Sequence, residues 1–170
     1  MKYTTGRVFL DTNILVYADD LDSPEKRATA LSILDGCFKK RSGVLSTQVL
    51  QEFFAVSVSK LGVAADAARR KVELFSSLEV FPIGVEDILG AIDLHRLHGY
   101  SFWDSLILRA ALESSCAVCY TEDLEHGRQI GCLKIVNPFL EGKKARVGET
   151  AATYRTRKPR TPARRRAKRS

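Results

Sequence analysis

The order of apolar and polar positions along the chain predicts strands that alternate with helices. Short apolar runs bounded by polar residues or glycine predict five strands. These runs lie near residues 7–10, 43–46, 79–83, 117–121 and 133–139. Between most of them, apolar residues recur every three or four positions, which is the period of an amphipathic helix. This alternation is typical of an α/β fold, here a parallel sheet of four to five strands flanked by helices on both faces.

Residues that favour helix ends divide the intervening segments. Ser23 and Pro24 are suited to begin a helix, Thr47 is suited to cap another, and Gly62 and Gly99 are suited to end helices. Helices are therefore predicted over residues 23–40, 47–60, 64–78, 85–98 and 101–115. Residues 122–130 are predicted to form a loop with a short helical turn.

Hydrophobic periodicity stops at Glu141. Residues 141–170 hold twelve of the 27 Lys and Arg residues and two of the 20 Asp and Glu residues. The net charge is therefore +10 in this segment and −3 in the preceding 140 residues. Since the segment has too few apolar side chains to form a core, we predict one folded domain over residues 1–140 and a disordered basic tail over residues 141–170.

Composition indicates a protein of the cytoplasm with no membrane association. No apolar run reaches the roughly 18 residues that span a bilayer, and the first residues do not resemble a signal peptide. Cys116 and Cys119 form a C-x-x-C pair, but the pair lies in a predicted strand instead of at the start of a helix. We expect the four cysteines to be buried free thiols.

Asp11 interrupts an apolar segment, FLDTNILV, that otherwise resembles core sequence. Burial of an unpaired carboxylate costs roughly several kcal/mol of folding free energy, so Asp11 needs a compensating partner. It either caps a helix that begins at Asn13 or faces a ligand at the carboxyl end of the first strand, where α/β sheets bind ligands.

Three more carboxylates lie in equally apolar surroundings or at a strand end. Asp123 follows the fourth strand, whereas Glu52 and Asp104 are flanked by large apolar side chains within predicted helices. Each has an ordinary structural interpretation: Asp123 caps a turn, Glu52 shares a solvated stripe with Gln48, and Asp104 favours a helix dipole. Together the four acids predict convergence on a hard cation, since oxygen donors suit Mg²⁺ or Mn²⁺.

A carboxylate-bound cation of this kind activates water and stabilises charge on a phosphodiester during in-line displacement. Hydrolysis would leave a 5′-phosphate and a 3′-hydroxyl. Asn13, two residues after Asp11, is a candidate to hold the carboxylate or a metal-bound water, and Thr12 and Thr121 are weaker candidates for the same role.

Four segments together resemble the PIN-domain ribonucleases, specifically the VapC-type toxins of VapBC toxin–antitoxin systems. They are FLDTNILVYA (9–18), STQVLQEFF (46–54), YSFWDSLIL (100–108) and YTEDLEHGRQIGCLKIVNPF (120–139). Each is weak alone, but their order and spacing are specific. The basic segment beyond about residue 143 departs from these toxins, which generally end near the N-P-F strand.

The resemblance implies a PIN fold and a Mg²⁺- or Mn²⁺-dependent endoribonuclease that is inhibited by a VapB-type antitoxin. It implies that Asp11, Glu52, Asp104 and Asp123 are catalytic, that Asp11 and Asp104 bind the metal directly, and that Asn13 supports them. It also implies an RNA substrate and a homodimer. Leu50, Phe53, Phe54 and Leu61 are candidates for an antitoxin-binding groove.

A second hypothesis is a non-catalytic nucleic-acid-binding module that uses the basic tail. A cluster of acids favours the enzyme, because clustered carboxylates repel phosphate. Nucleotide binding is not favoured, because the chain has no glycine-rich phosphate loop.

The basic tail is either an inert, solvated run of charges or an arm that neutralises RNA phosphates. The arm is favoured slightly, because the remaining chain is acidic. Removal of residues 143–170 should therefore flatten the dependence of RNA affinity on salt between about 50 and 200 mM, measured by fluorescence anisotropy. An unchanged slope would show that the tail does not contact the phosphates.

Overall fold

The computed structural model describes residues 6–140, and residues 6–139 belong to one compact unit. Six strands are present in this part of the chain: β1 (Val8–Leu10), β2 (Gly43–Ser46), β3 (Glu79–Phe81), β4 (Val118–Tyr120), β5 (Gln129–Ile130) and β6 (Leu133–Val136). The helices are α1 (Thr12–Tyr17), α2 (Pro24–Lys40), α3 (Thr47–Ser59), α4 (Ala65–Phe75), α5 (Val85–His98) and α6 (Phe102–Glu113).

The strands form one sheet in the order β3-β2-β1-β4-β6-β5. All neighbours are parallel except β5, which pairs antiparallel with β6. The α/β fold with a mostly parallel sheet is thus confirmed, with six strands. The additional strand β5 lies at the end of the segment predicted as a loop with a helical turn. Its two residues are too few for periodicity to reveal a strand.

The end of β1 lies at the point where the order of strands in the sheet reverses. From β1 the chain continues on one side to β2 and β3, whereas β4 and β6 lie on the other side. The backbone N–H of Asp11 donates to the Tyr120 carbonyl at 3.1 Å, which keeps the ends of β1 and β4 together. Open α/β sheets bind ligands in the crevice at such a switch point.

The core lies on both faces of the central strands. Phe9, Leu10, Val44 and Leu45 are all at most 1% exposed, because strands covered by helices on both sides bury successive side chains. Phe53 of α3 packs edge to face on Phe75 of α4, with ring centroids 5.1 Å apart. α3 is thereby held in a fixed position beside the end of β2.

Three of the four cysteines, Cys37, Cys116 and Cys119, are buried free thiols, as expected. The expectation is wrong for Cys132, which is exposed in the turn between β5 and β6. None of the helices between residues 6 and 140 has the length and apolarity needed to cross a membrane. The predicted tail lies outside the described residues, and with it the domain boundary at 140 stays a prediction.

Gly43 is required where β2 passes under α2. A Cβ at this position would lie 2.9 Å from the Cβ of Cys37 and 3.2 Å from Leu78 Cδ1. Gly43→Ala should lower the free energy of unfolding by about 1–3 kcal/mol, measured by urea denaturation, because overpacking displaces the core. Gly36→Ala is the matched control: nothing lies within 4 Å of its Cβ position in α2. The free energy of unfolding of that variant should rise by about 0.5–1 kcal/mol, because alanine favours a helix more than glycine does. Equal effects at both positions would contradict the proposed close packing.

Candidate active site at the carboxyl edge of the sheet

Asp11 is buried at the junction of β1 and α1. It is the N-cap of α1, and its Oδ1 accepts from the Thr12 backbone N–H at 2.6 Å. Its Oδ2 accepts from the Thr121 hydroxyl at 2.7 Å. Asp11 is only 7% exposed. The helix-capping interpretation is correct for Oδ1, although the helix begins at Thr12, and Oδ2 is held by the segment after β4.

Burial raises the pKa of Asp11 from its ordinary value of 3.8 to about 6. The hydrogen bonds from Thr121 and Thr12 lower this pKa, and the neighbouring charges of Asp123 and Glu52 raise it. The loss of hydration outweighs the two hydrogen bonds, since burial disfavours the charged form. Asp11 is therefore a carboxylate for which the fold supplies hydrogen-bond donors but insufficient positive charge.

Glu52 is linked to Asp11 through Thr12. The Thr12 hydroxyl donates to Glu52 Oε2 at 2.8 Å, while the Thr12 backbone N–H binds Asp11. The Gln48 amide, one turn earlier on α3, donates to Glu52 Oε1 at 2.7 Å. Both oxygens of Glu52 are thus oriented by neutral donors, and α3 presents Glu52 to the start of α1.

Asp123 is linked to Asp11 through Asn13 and Thr121. The Asn13 amide donates to Asp123 Oδ2 at 3.2 Å and to the Thr121 hydroxyl oxygen at 3.4 Å. The Asp123 backbone N–H also donates to the Thr121 hydroxyl oxygen, at 3.1 Å. The Thr121 hydroxyl therefore orders the loop after β4 around the Asp11 carboxylate.

Among the described residues, no hydrogen bond links Asp104 directly to these three acids. Asp104 is in the first turn of α6, where its Oδ2 accepts from the Ser101 hydroxyl at 2.6 Å. The Asp104 backbone N–H donates to the Ser101 hydroxyl oxygen at 3.1 Å. Its connection to the site runs through the preceding residue: the Gln48 amide is 3.5 Å from the Trp103 carbonyl oxygen. Hydrogen bonds thus join Asp11, Glu52 and Asp123, while the Gln48 amide reaches the backbone of Trp103, the residue before Asp104.

The donor chemistry of this edge fits a hard divalent cation. Asp11, Glu52 and Asp123 take part in no ion pair within residues 6–140. In addition, Asn13 Oδ1 is buried without a hydrogen-bond partner there. Within that range, however, no three acidic, histidine or cysteine side chains already stand close enough together to hold a metal ion. The acids accept from neutral donors instead, so cation binding would require them to be drawn together.

Sequence reasoning underestimated Gln48 and the two threonines. The alternative that Glu52 lies on a solvated stripe with Gln48 does not hold, because Gln48 is only 5% exposed. Thr12 and Thr121, the weaker candidates, are the residues that join the acids. A threonine one or two residues from the acid at both strand ends is the available signal, whereas nothing in the sequence indicates that Gln48 meets the start of α6.

A second cluster beside the site was not anticipated either. Lys26 of α2 donates to Glu122 Oε2 and to the Tyr17 hydroxyl, each at 2.6 Å. The Tyr17 ring packs edge to face on Phe139, with centroids 5.0 Å apart. This cluster fastens the loop after β4 to α1 and α2, and it neutralises Glu122, the acid next to Asp123.

Comparisons with known proteins identify the family and the fold. The sequence pattern of the PIN domain family matches residues 8–129. The chain therefore belongs to the PIN domain family. No curated protein sequence matches it significantly.

Solved structures of VapC toxins and VapBC complexes have a similar fold. Mycobacterium tuberculosis VapC20, a toxin that cleaves the sarcin–ricin loop, is 17% identical with a TM-score of 0.55, covering 68% of this chain and 91% of that one. A toxin–antitoxin complex from Klebsiella pneumoniae is 19% identical with a TM-score of 0.57, covering 77% and 97%. VapBC2 from Rickettsia felis, bound to promoter DNA, is 23% identical with a TM-score of 0.55, covering 76% and 97%.

Asp11→Asn should stabilise the fold at pH 7 in the presence of a chelator. The folded-state pKa is raised, so the wild type loses stability as the pH rises from about 4 to about 6. This rise in pKa corresponds to a loss of at most about 3 kcal/mol in the free energy of unfolding. The uncharged variant would not suffer this loss. Urea denaturation at pH 4 and pH 7 measures the effect.

Asp93→Asn, an exposed substitution on α5, is the matched control and should show no comparable gain. A gain for Asp11→Asn that is equally large at pH 4 and pH 7 would contradict burial of a titrating charge.

Proposed function

We propose that this PIN-domain protein is a metal-dependent endoribonuclease and the toxin of a VapBC-type pair acting in the cytoplasm. The observation that carries the proposal is the group formed by Asp11, Glu52 and Asp123, which are linked by hydrogen bonds at the sheet's switch point without a cationic partner among the described residues. Repulsion among these carboxylates destabilises the fold unless a bound cation relieves it, so we take the group to be a cation-binding site.

We propose that Asp11 and Asp104 bind Mg²⁺, with Mn²⁺ as a substitute, and that Glu52 and Asp123 complete the catalytic group. When bound, the metal activates water and stabilises charge on the RNA phosphodiester. Thr12 and Thr121 orient Asp11, and Asn13 orients Asp123. Because the pKa of Asp11 is raised to about 6 without a metal, a cation would have to compete with a proton for this carboxylate below that pH.

The exposed side chain next to Asp104 suits an RNA substrate. Trp103 is 62% exposed at the start of α6, directly beside one proposed metal-binding residue. An exposed aromatic ring offers a nucleobase a stacking surface that tolerates different sequences. The basic segment beyond residue 143 would supply the phosphate contacts that the acidic domain lacks.

An antitoxin would occupy the apolar groove between α3 and α4. This groove has a volume of about 430 Å³ and is lined by Leu50, Gln51, Phe54, Ala65, Asp66, Arg69 and Val72. Of the four residues expected in such a groove, Leu50 and Phe54 line it, Leu61 is not among its lining residues, and the ring of Phe53 is fully buried in the core. Two of the similar structures described above are toxin–antitoxin complexes, which supports a VapB-type partner. We also propose that the chain forms a homodimer.

Cleavage of total RNA tests the proposed activity. Mg²⁺ or Mn²⁺ should support cleavage, and EDTA should abolish it. Asp11→Asn, Glu52→Gln and Asp123→Asn should each lower the rate more than about 100-fold, because each removes charge from the group that would hold the cation.

Asp22→Asn, an exposed substitution in the α1–α2 loop, should leave the rate unchanged. RNA binding without cleavage by the wild type would instead support a non-catalytic nucleic-acid-binding module.

A further inference from the structure

Arg128 has a fixed backbone position at the end of the loop between β4 and β5. Its carbonyl oxygen accepts from the Ile135 N–H of β6 at 2.9 Å, and the Gly127 N–H donates to the Ile135 carbonyl oxygen at 2.9 Å. Gly127 has a φ of 86°, in the left-handed region that favours glycine, so the chain turns just before Arg128. Pairing with β6 therefore determines where the Arg128 side chain begins.

The Arg128 guanidinium lies over the ring of Tyr100 and keeps its N–H groups available. Its Cζ is 4.8 Å from the ring centroid, which is a cation–π contact. Within residues 6–140 the guanidinium donates no hydrogen bond, and its charged partner there is Glu125, at 3.6 Å from Nη1. The Glu125 side chain is 73% exposed. Since an exposed pair of this kind contributes little to stability, another anion can replace the Glu125 carboxylate.

Tyr100 connects Arg128 to the segment that leads to Asp104. Tyr100 directly precedes Ser101, the N-cap of α6, and the Ser101 hydroxyl donates to Asp104 Oδ2 at 2.6 Å. Arg128 itself belongs to the loop that carries Asp123. It thus lies in the segment of one acid proposed for catalysis and contacts the segment of another.

Lys26 also pairs with the loop between β4 and β5, but its donors are already used. It donates to Glu122 Oε2 and to the Tyr17 hydroxyl, each at 2.6 Å. Arg128, by contrast, has all of its guanidinium N–H groups unused within residues 6–140. Because clustered carboxylates repel phosphate, RNA that approaches the acids needs a cation with free donors, and Arg128 meets that requirement.

We propose that Arg128 binds a phosphate of the RNA backbone next to the scissile one, in place of Glu125, while Tyr100 holds the guanidinium. The planar guanidinium presents pairs of N–H groups that match two oxygens of one phosphate. Since the scissile phosphate would be held at the acids, Arg128 contributes to binding and not to the chemical step. The inference rests on the proposed RNA substrate and adds a phosphate-binding residue to that site.

The salt dependence of RNA binding tests the contact. The affinity of the full chain for a labelled single-stranded RNA is measured by fluorescence anisotropy in EDTA, which prevents the proposed cleavage, between about 50 and 200 mM salt. Arg128→Gln should weaken binding about 5–10-fold at the lower salt concentration. It should also reduce the slope of log K against log salt by about 0.7, the value for one phosphate of a single strand.

Two further variants separate position from charge. Arg70→Gln, which removes the same charge from an exposed position of α4, should change neither the affinity nor the slope. Arg128→Lys should preserve the slope, because the positive charge remains. Circular dichroism would check that each variant is folded.

A double-variant cycle tests the replacement of Glu125. Glu125→Gln should strengthen RNA binding about 2–5-fold, because it releases the guanidinium. The same change should have little effect in the Arg128→Gln chain, since no guanidinium is then present to be released. A gain of equal size in both chains would show that Glu125 repels RNA by itself, and would overturn the proposed exchange of partners.

Cleavage kinetics in Mg²⁺ separate binding from chemistry. Arg128→Gln should raise KM about 5–10-fold and leave kcat within about 2-fold, because a contact away from the scissile bond is equally strong in the ground state and the transition state. A lowered kcat with an unchanged KM would overturn the proposal. An Arg128→Gln chain with the affinity and salt slope of the wild type would also overturn it.

The measurements distinguish this proposal from the proposed nuclease. A wild type that binds RNA with an Arg128-dependent slope but does not cleave it would support the phosphate contact and refute the nuclease. Cleavage by an Arg128→Gln chain that binds RNA as tightly as the wild type would do the reverse. A wild type that binds no RNA would refute both.

Discussion

The burial of the Asp11 carboxylate without a positive partner is the constraint on which the site is built. Its two oxygens accept from the Thr12 backbone and the Thr121 hydroxyl, one on each side of the sheet's switch point. These bonds do not compensate for lost hydration, which is why the pKa of Asp11 is raised to about 6. The fold therefore maintains an energetically unfavourable carboxylate at the edge where α/β sheets bind ligands.

The same hydrogen bonds organise the neighbouring elements. Thr12 uses its backbone for Asp11 and its hydroxyl for Glu52, and thereby couples α1 to α3. Thr121 binds Asp11 and also receives the Asp123 N–H, which shapes the loop after β4. Gln48 extends this network to the start of α6. A substitution at any of these uncharged positions would alter the spacing of the acids.

The acids and the apolar groove lie at different places in the fold. The acids lie at the carboxyl edge of the sheet, whereas the groove lies between α3 and α4. This arrangement suits the proposed nuclease, whose activity an antitoxin would restrain.

The sequence by itself determined the α/β alternation and the presence of acids in apolar surroundings, because both follow from local periodicity and residue type. The tertiary structure decided which of those acids meet. Asp11, Glu52 and Asp123 are joined by hydrogen bonds between residues 40 to 110 positions apart, and no local pattern encodes such distances. The burial of Gln48 and the strand β5 likewise depend on long-range packing.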